Sequence, residues 1–399
     1  MPTQLGTGSA PPTPRFGWLF RDGFRPFFLG AAVCGVVHMA AWLMALSGHA
    51  VNTHFGLFGW HAHEMIVGYG GAALAGFLLT SVPSWTGGNT PTGMPLALLF
   101  GLWLAGRVMV FLPGTFSPEV IAAVDMAFLP VLAWVLSKPL AAAGQHYNVV
   151  VPLLVSLAGA NALMHASVLG QPPAADRAGN ILAVGVMMVG ISYIGGRVIP
   201  WFTERVPGAV PRSFKTVEHL AVPAVALYAA TATLADLLAL PDAVASVFAL
   251  AAAVLNGVRL AGWLTLGAWR VPLVWVVHLG YGWLVLGLAM QAGALWGVLE
   301  RTSAIHAFTV GAIGLMTMGL MAHASLGHSG RPVAAPPAAT IAFVMLALAT
   351  PLRVAAPYLS WERASTALSL AGGLWCAAFL LFLIRYLPVL LGPPASPNG

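Results

Sequence analysis

Twelve apolar runs, each long enough to cross roughly 30 Å of bilayer hydrocarbon as a helix, occupy almost the whole chain. They lie at about 26–46, 63–83, 94–111, 118–136, 148–169, 179–199, 217–238, 241–260, 272–293, 304–326, 338–355 and 363–387. Nothing else in the sequence constrains the fold as strongly. A backbone inside hydrocarbon must satisfy every N–H and C=O internally, so runs of this length are helices. The expectation is an all-α polytopic membrane protein of twelve transmembrane helices. One membrane domain spans 26–390, between a basic Pro- and Gly-rich segment at 1–25, expected to be a mobile tail, and a short tail at 391–399.

Charge sets the orientation. Only 7% of residues are charged, against about 25% in soluble domains. Of the 17 Lys and Arg, five (Arg107, Arg177, Arg301, Arg353 and Arg363) fall on one side of the topology and the other twelve on the side of the N-terminus. That bias places both termini in the cytoplasm. The net charge of +6 therefore reflects topology and implies no nucleic-acid partner; the surrounding partner is membrane lipid. No cleavable signal peptide is expected, because the N-terminal region lacks early positive charge and is interrupted by proline. Cys34 and Cys376 both lie in apolar runs, which argues against a disulfide or a thiolate metal site.

Histidine is the informative count, with 12 against 11 acidic residues. Imidazole is a common ligand for haem iron and copper and is buried neutral more cheaply than a carboxylate. On the predicted topology His61, His63, His165 and His306 lie near outer helix ends, His49 and His54 lie in the outer loop, and His38 is somewhat deeper. His278, His323 and His328 lie toward the cytoplasmic face, while His146 and His219 suggest no role. The 17 residues between His306 and His323 span about 25 Å of helix, so the two cannot share a metal.

The stretch Trp60–Phe77, WHAHEMIVGYGGAALAGF, concentrates the chemistry. As a regular α-helix it would align His61, Met65, Gly68, Ala72 and Gly76 on one face. Such a bare stripe suits close helix packing, or room for a flat macrocycle whose iron a histidine holds. His61 and His63 stand about 200° apart, so only one faces a given site. The candidate outer site is His61 or His63 with His306, and His165 nearby. Glu64 reads either as a helix N-terminal acid or as the partner that orients a ligating imidazole. Arg107 would bind a haem propionate or pair with Asp125; the pair is favoured, because an unpaired membrane carboxylate is costly. Asn161 and His165 share a face at spacing four, as do Asn148 and Pro152. On the cytoplasmic side His323, His328 and His278 form either a second metal site or a polar helix end. Met316, Met318 and Met321 read as packing.

Two long motifs, WHAHEMIVGYGGAALAGFLLTSVPSWTG and HAFTVGAIGLMTMGLMAHASLGHSGRP, resemble the NnrS family of bacterial membrane proteins over roughly residues 20–390. The resemblance implies haem and copper as cofactors, a bacterial inner-membrane location, nitric oxide or another small diatomic as ligand, and protection against nitric oxide. It leaves open whether such a protein turns the ligand over, senses it or repairs its products, and which electron donor serves it. A weaker likeness is to the catalytic subunit of haem-copper oxidases, but the seventh run lacks the paired histidines of that copper site. The rival class is a secondary transporter of two six-helix halves around the basic stretch Arg197–Glu218, although the halves show no similarity. A further alternative is a non-catalytic partner that ferries copper. No nucleotide-binding loop, hydrolytic triad or zinc-protease signature is present.

Overall fold

A computed structural model describes residues 15–144, 149–172 and 174–395; His146 and Asn148 lie outside the described residues. Apart from an isolated bridge between Pro113 and Phe116, the described residues are helix and connecting loop. Eleven helices are long and apolar enough to cross a membrane. In chain order with one shorter helix they are α1 (Phe24–Leu46), α2 (Gly56–Thr86), α3 (Met94–Val110), α4 (Pro118–Ala142), α5 (Val150–Val168), α6 (Ala174–Thr203), α7 (Lys215–Leu237), α8 (Ala243–Trp263), α9 (Pro272–Leu295), α10 (Arg301–Gly327), α11 (Pro337–Tyr358) and α12 (Trp361–Leu391). The shorter one is α3, whose 17 residues reach about 25 Å.

Sequential helices pack side by side, and α12 closes against α1. Arg25 fastens that closure: it is fully buried, its Nε donates to Asp22 at 2.8 Å, and its Nη1 donates to the carbonyls of Val389, Leu390 and Gly392 at the end of α12. The middle belongs to α2 and α10. Their most apolar windows are 83% and 67% buried, against 56% or less for the other spans. Burial on all sides explains the small residues of α2: a Cβ on Gly76 would lie 2.7 Å from the Phe28 ring of α1.

Both central helices depart from the regular α-helix. Each carries a π-helical stretch, Glu64–Gly70 in α2 and Ala307–Gly314 in α10, and each stretch begins directly after a candidate histidine. A π turn shifts the phase of every residue beyond it, which corrects the expected stripe. His61 and Met65 stay on one face and are joined there by Ile66 and Tyr69. Gly68 turns to another side, where its carbonyl accepts from Trp103 Nε1 at 3.2 Å and an added Cβ would meet Arg107 and Glu64. Gly76 packs on Phe27 and Phe28. A hydrogen bond between Tyr69 and Thr317 ties α2 to α10.

Candidate functional site

The outer constellation expected from sequence divides into two sites on opposite sides of α2. His63 and His165 belong to a buried polar cluster, whereas His61 and His306 line a separate cavity. The structure does not bring His63 and His306 together. The cause is the 200° offset between His61 and His63 within a helix that begins at Gly56, ahead of both.

In the cluster, α3 supplies Arg107, α4 supplies Asp125, α5 supplies Asn161 and His165, and α2 supplies His63 and Glu64. All six are at most 4% exposed. Pro118 opens α4 at its first turn, where a missing N–H is harmless. Two turns later that helix presents Asp125 to the interior. The α1–α2 loop is folded back onto the bundle by a hydrogen bond from the His54 N–H to the Val110 carbonyl, 3.0 Å. Phe55 then packs against the rings of His63 and His165, with centroids 4.3 and 4.7 Å away.

The hydrogen bonds run in one connected chain. Asp125 Oδ2 accepts from Asn161 Nδ2 at 2.8 Å and lies 3.0 Å from His165 Nε2 and 3.2 Å from His63 Nε2. Asp125 Oδ1 pairs with Arg107, whose other terminal nitrogen lies 3.1 Å from Glu64 Oε1. Glu64 Oε1 also accepts from His63 Nδ1 at 2.9 Å, and Glu64 Oε2 is 3.3 Å from His38 Nε2. His54 Nε2 meets His165 Nδ1 at 3.1 Å. Lying outside the spanning segments, His54 has its pKa lowered to about 4, chiefly by burial and then by His165 and His63.

Charge accounting shows what this cluster lacks. Glu64 and Asp125 contribute two negative charges and Arg107 one positive, so with neutral imidazoles the buried group is one positive charge short. His63 marks the place. Its Nδ1 faces the Glu64 carboxylate, and its Nε2 faces Asp125 Oδ2 and, at 2.9 Å, the Asn161 carbonyl oxygen that remains once Nδ2 has donated to Asp125. A neutral imidazole has one N–H, so either a second proton or a cation at Nε2 is required. His63, Asp125 and His165 each offer a ligand atom within 4.8 Å of the others, and among the described residues they are the only such group of three. Each imidazole also has a partner on its remaining ring nitrogen, Glu64 for His63 and His54 for His165. Metal-ligating histidines ordinarily carry such a partner.

Close approach of α3 to α4 depends on Gly106, where an added Cβ would lie 2.6 Å from Asp125 Oδ1 and 3.2 Å from its Cα. Gly106→Ala is expected to cost about 1–3 kcal/mol by overpacking and to displace Asp125. Thermal unfolding in detergent measures the first, and an unchanged midpoint would show that the helices separate freely.

The second site is a partly open cavity, about 620 Å³ of empty space counted with the solvent at its mouth. Its walls are mostly apolar and include Met39, Trp42, Met65, Ile66, Ile313 and Trp375, with His61, His306, Tyr69 and Arg353 as its main polar groups. His306 Nδ1 donates to the Thr302 carbonyl at 2.7 Å, which leaves Nε2 with a lone pair. His61 stacks on Trp42, ring centroids 4.1 Å apart, and its buried Nδ1 has no hydrogen-bond partner.

The residues expected on the other side do not converge. His278 Nδ1 donates to the Val274 carbonyl at 2.9 Å, and its Nε2 lies 3.4 Å from both Thr203 Oγ1 and the Trp263 carbonyl. His323 stacks on Phe202 at 3.9 Å, and His328 lies 6.2 Å from the Phe24 ring. Met316 and Met321 line an almost entirely apolar cavity with Phe28 and Leu320, and Met318 is buried in the core. The contributions of His38, His54 and Arg353 were not visible in sequence. The first two gave a faint signal, as polar residues placed beside a histidine-rich helix end.

These features define a multi-pass helical membrane protein with a buried histidine–carboxylate centre beside a partly open, mostly apolar cavity. Over residues 18–393 the chain matches the family model described as NnrS protein, and it belongs to that family. No curated protein is similar enough to stand as a relative. Membership fits a nitric-oxide-related function.

Proposed function

We propose that this chain is a bacterial inner-membrane protein that protects against nitric oxide or its products, holding copper at His63, His165 and Asp125 and haem in the cavity of His61 and His306. It carries twelve spans, with α3 as the twelfth, and both termini are cytoplasmic, in keeping with the twelve-to-five Lys and Arg bias. The observation that carries the metal assignment is the missing positive charge at His63. An imidazole–carboxylate set suits copper, zinc or iron, and the family resemblance favours copper. Haem is supported by two histidines that each keep a ring nitrogen without a protein partner in one apolar cavity. When bound, the two metals would supply a coordination position for a diatomic ligand and redox chemistry.

The protein's own residues do the rest. Glu64 and the Thr302 carbonyl hold His63 and His306 in tautomers that leave Nε2 as the ligating atom. Arg107 pairs with both carboxylates and so fixes their places beside His63, and the apolar walls exclude water.

Purification in mild detergent, followed by metal analysis and a visible spectrum, tests the assignment. The expected result is about one copper per chain and a Soret band that shifts on adding nitric oxide. His306→Ala should remove or displace that band, and an unchanged spectrum would take His306 off the ligand list. Colourless, metal-free protein would mean that a proton on His63 supplies the missing charge, and the copper and haem assignments would fail together.

A further inference from the structure

Arg353, half-buried in the last turn of the helical part of α11, stands out among the cations that reach into the bundle. Arg107 is matched by Glu64 and Asp125, Arg259 by Glu218 at 2.8 Å and Arg25 by Asp22 at 2.8 Å. Arg353 lines the partly open cavity of His61 and His306, yet among the described residues no carboxylate lies within ion-pair distance of it. Its Nη2 donates a 3.3 Å hydrogen bond to the Thr302 hydroxyl. A guanidinium set in a wall of Met39, Ile66, Ile313 and Trp375 is costly unless an anion meets it. The nearby histidines, neutral or charged, cannot be that anion.

Position narrows the chemistry. Thr302 precedes His306 by one helical turn, so Arg353 sits about 6 Å along the axis from the His306 level, toward the start of α10. Beyond His306, in the other direction, the cavity is walled by Val310 and Ile313, with Tyr69 and Trp375 opposite. The space thus offers a cation at one end, two imidazoles next to it and a greasy body beyond. Its occupant should be amphipathic, with an apolar plate and an acidic group at one edge.

Resting on the haem assignment above, we infer that Arg353 is the receptor for a carboxylate of the porphyrin in this cavity, bound by the planar guanidinium fork. Arg107, the other arginine that sequence offered for this task, is already engaged by two protein carboxylates. Arg353 is therefore a specificity-determining residue: it selects a porphyrin that bears free acids and sets which edge points to the α1–α2 side of the bundle.

The experiment compares two probes that differ only in that group. Detergent-solubilised protein stripped of haem is titrated with iron protoporphyrin and with its dimethyl ester, and affinity is read from the Soret change. Wild type should prefer the free acid by about ten- to a hundredfold, the worth of a charge-assisted bidentate contact. Arg353→Gln should lose that preference by weakening the acid while leaving the ester unaffected. Arg353→Lys, which keeps the charge and lacks the fork, should fall between. A preserved acid preference in Arg353→Gln would overturn the inference while leaving the haem assignment intact. Failure of wild type to bind either porphyrin would overturn both. A preference that vanishes when phosphatidylglycerol is added to the micelles would give the guanidinium to a lipid phosphate instead. A Lys variant with a wild-type unfolding midpoint guards against misfolding as the cause.

Discussion

Replacing Arg107 with methionine is expected to destabilise the protein by about 3–5 kcal/mol, enough in a marginally stable fold to stop it accumulating. The side chain is only 5% exposed and stands between Glu64 and Asp125, themselves 0% and 1% exposed. Removing it leaves two carboxylates facing one cation or proton at His63, in an environment where the desolvation of an unpaired charge is not recovered. The sign of the second replacement distinguishes this account from simple loss of packing. Arg107→Met combined with Glu64→Gln restores the charge count, so the double variant should be more stable than Arg107→Met alone. Unfolding midpoints of the four proteins in one detergent give the coupling. Additive losses would mean that the three charges act independently.

The helices were largely readable from composition, because a run of apolar residues in lipid has no other choice. Ten of the twelve expected runs agree with the structure to within about three residues at their starts, and the two exceptions are instructive. Helix α2 begins at Gly56, seven residues ahead of the expected run at 63, and α6 begins at Ala174 ahead of 179. In α2 the missed turns carry Trp60 and His61, amphipathic residues that a hydropathy window rejects but that the bundle covers wholly or in part. Glu64, read either as a helix N-terminal acid or as the partner of an imidazole, lies in mid-helix, where it faces His63 as well as the partners brought by α1 and α3.

Pairing of Arg107 with Asp125 followed from energetics alone, since a carboxylate in hydrocarbon needs a cation. Asn161 and His165 were placed together by their spacing of four, and both face Asp125. What sequence could not show is the π-helical phase shift after His63 and after His306, because an inserted residue leaves no compositional trace. Nor could it show the loop that folds His54 onto His165, which depends on a backbone hydrogen bond to Val110. The same limit hid the role of Arg353, which was legible only as a topology marker until the cavity gave it a direction.

Because a single residue separates His61 from His63 yet a helix body lies between their rings, the two alanine variants should fail in opposite ways. His63→Ala is expected to lower copper affinity by more than about a hundredfold, beyond the ten- to hundredfold cost of losing a mere outer partner, while keeping the Soret band. His61→Ala should perturb that band and its response to nitric oxide and retain about one copper per chain. The cluster of His63, Asp125 and His165 shares no wall residue with the cavity of His61, Arg353 and His306. His165→Ala should behave like His63→Ala, and His306→Ala like His61→Ala, so four proteins sort into two pairs by metal analysis and spectrum together. Parallel loss of both signals in every variant would mean a single shared centre, and the division of the site across α2 would have to be abandoned.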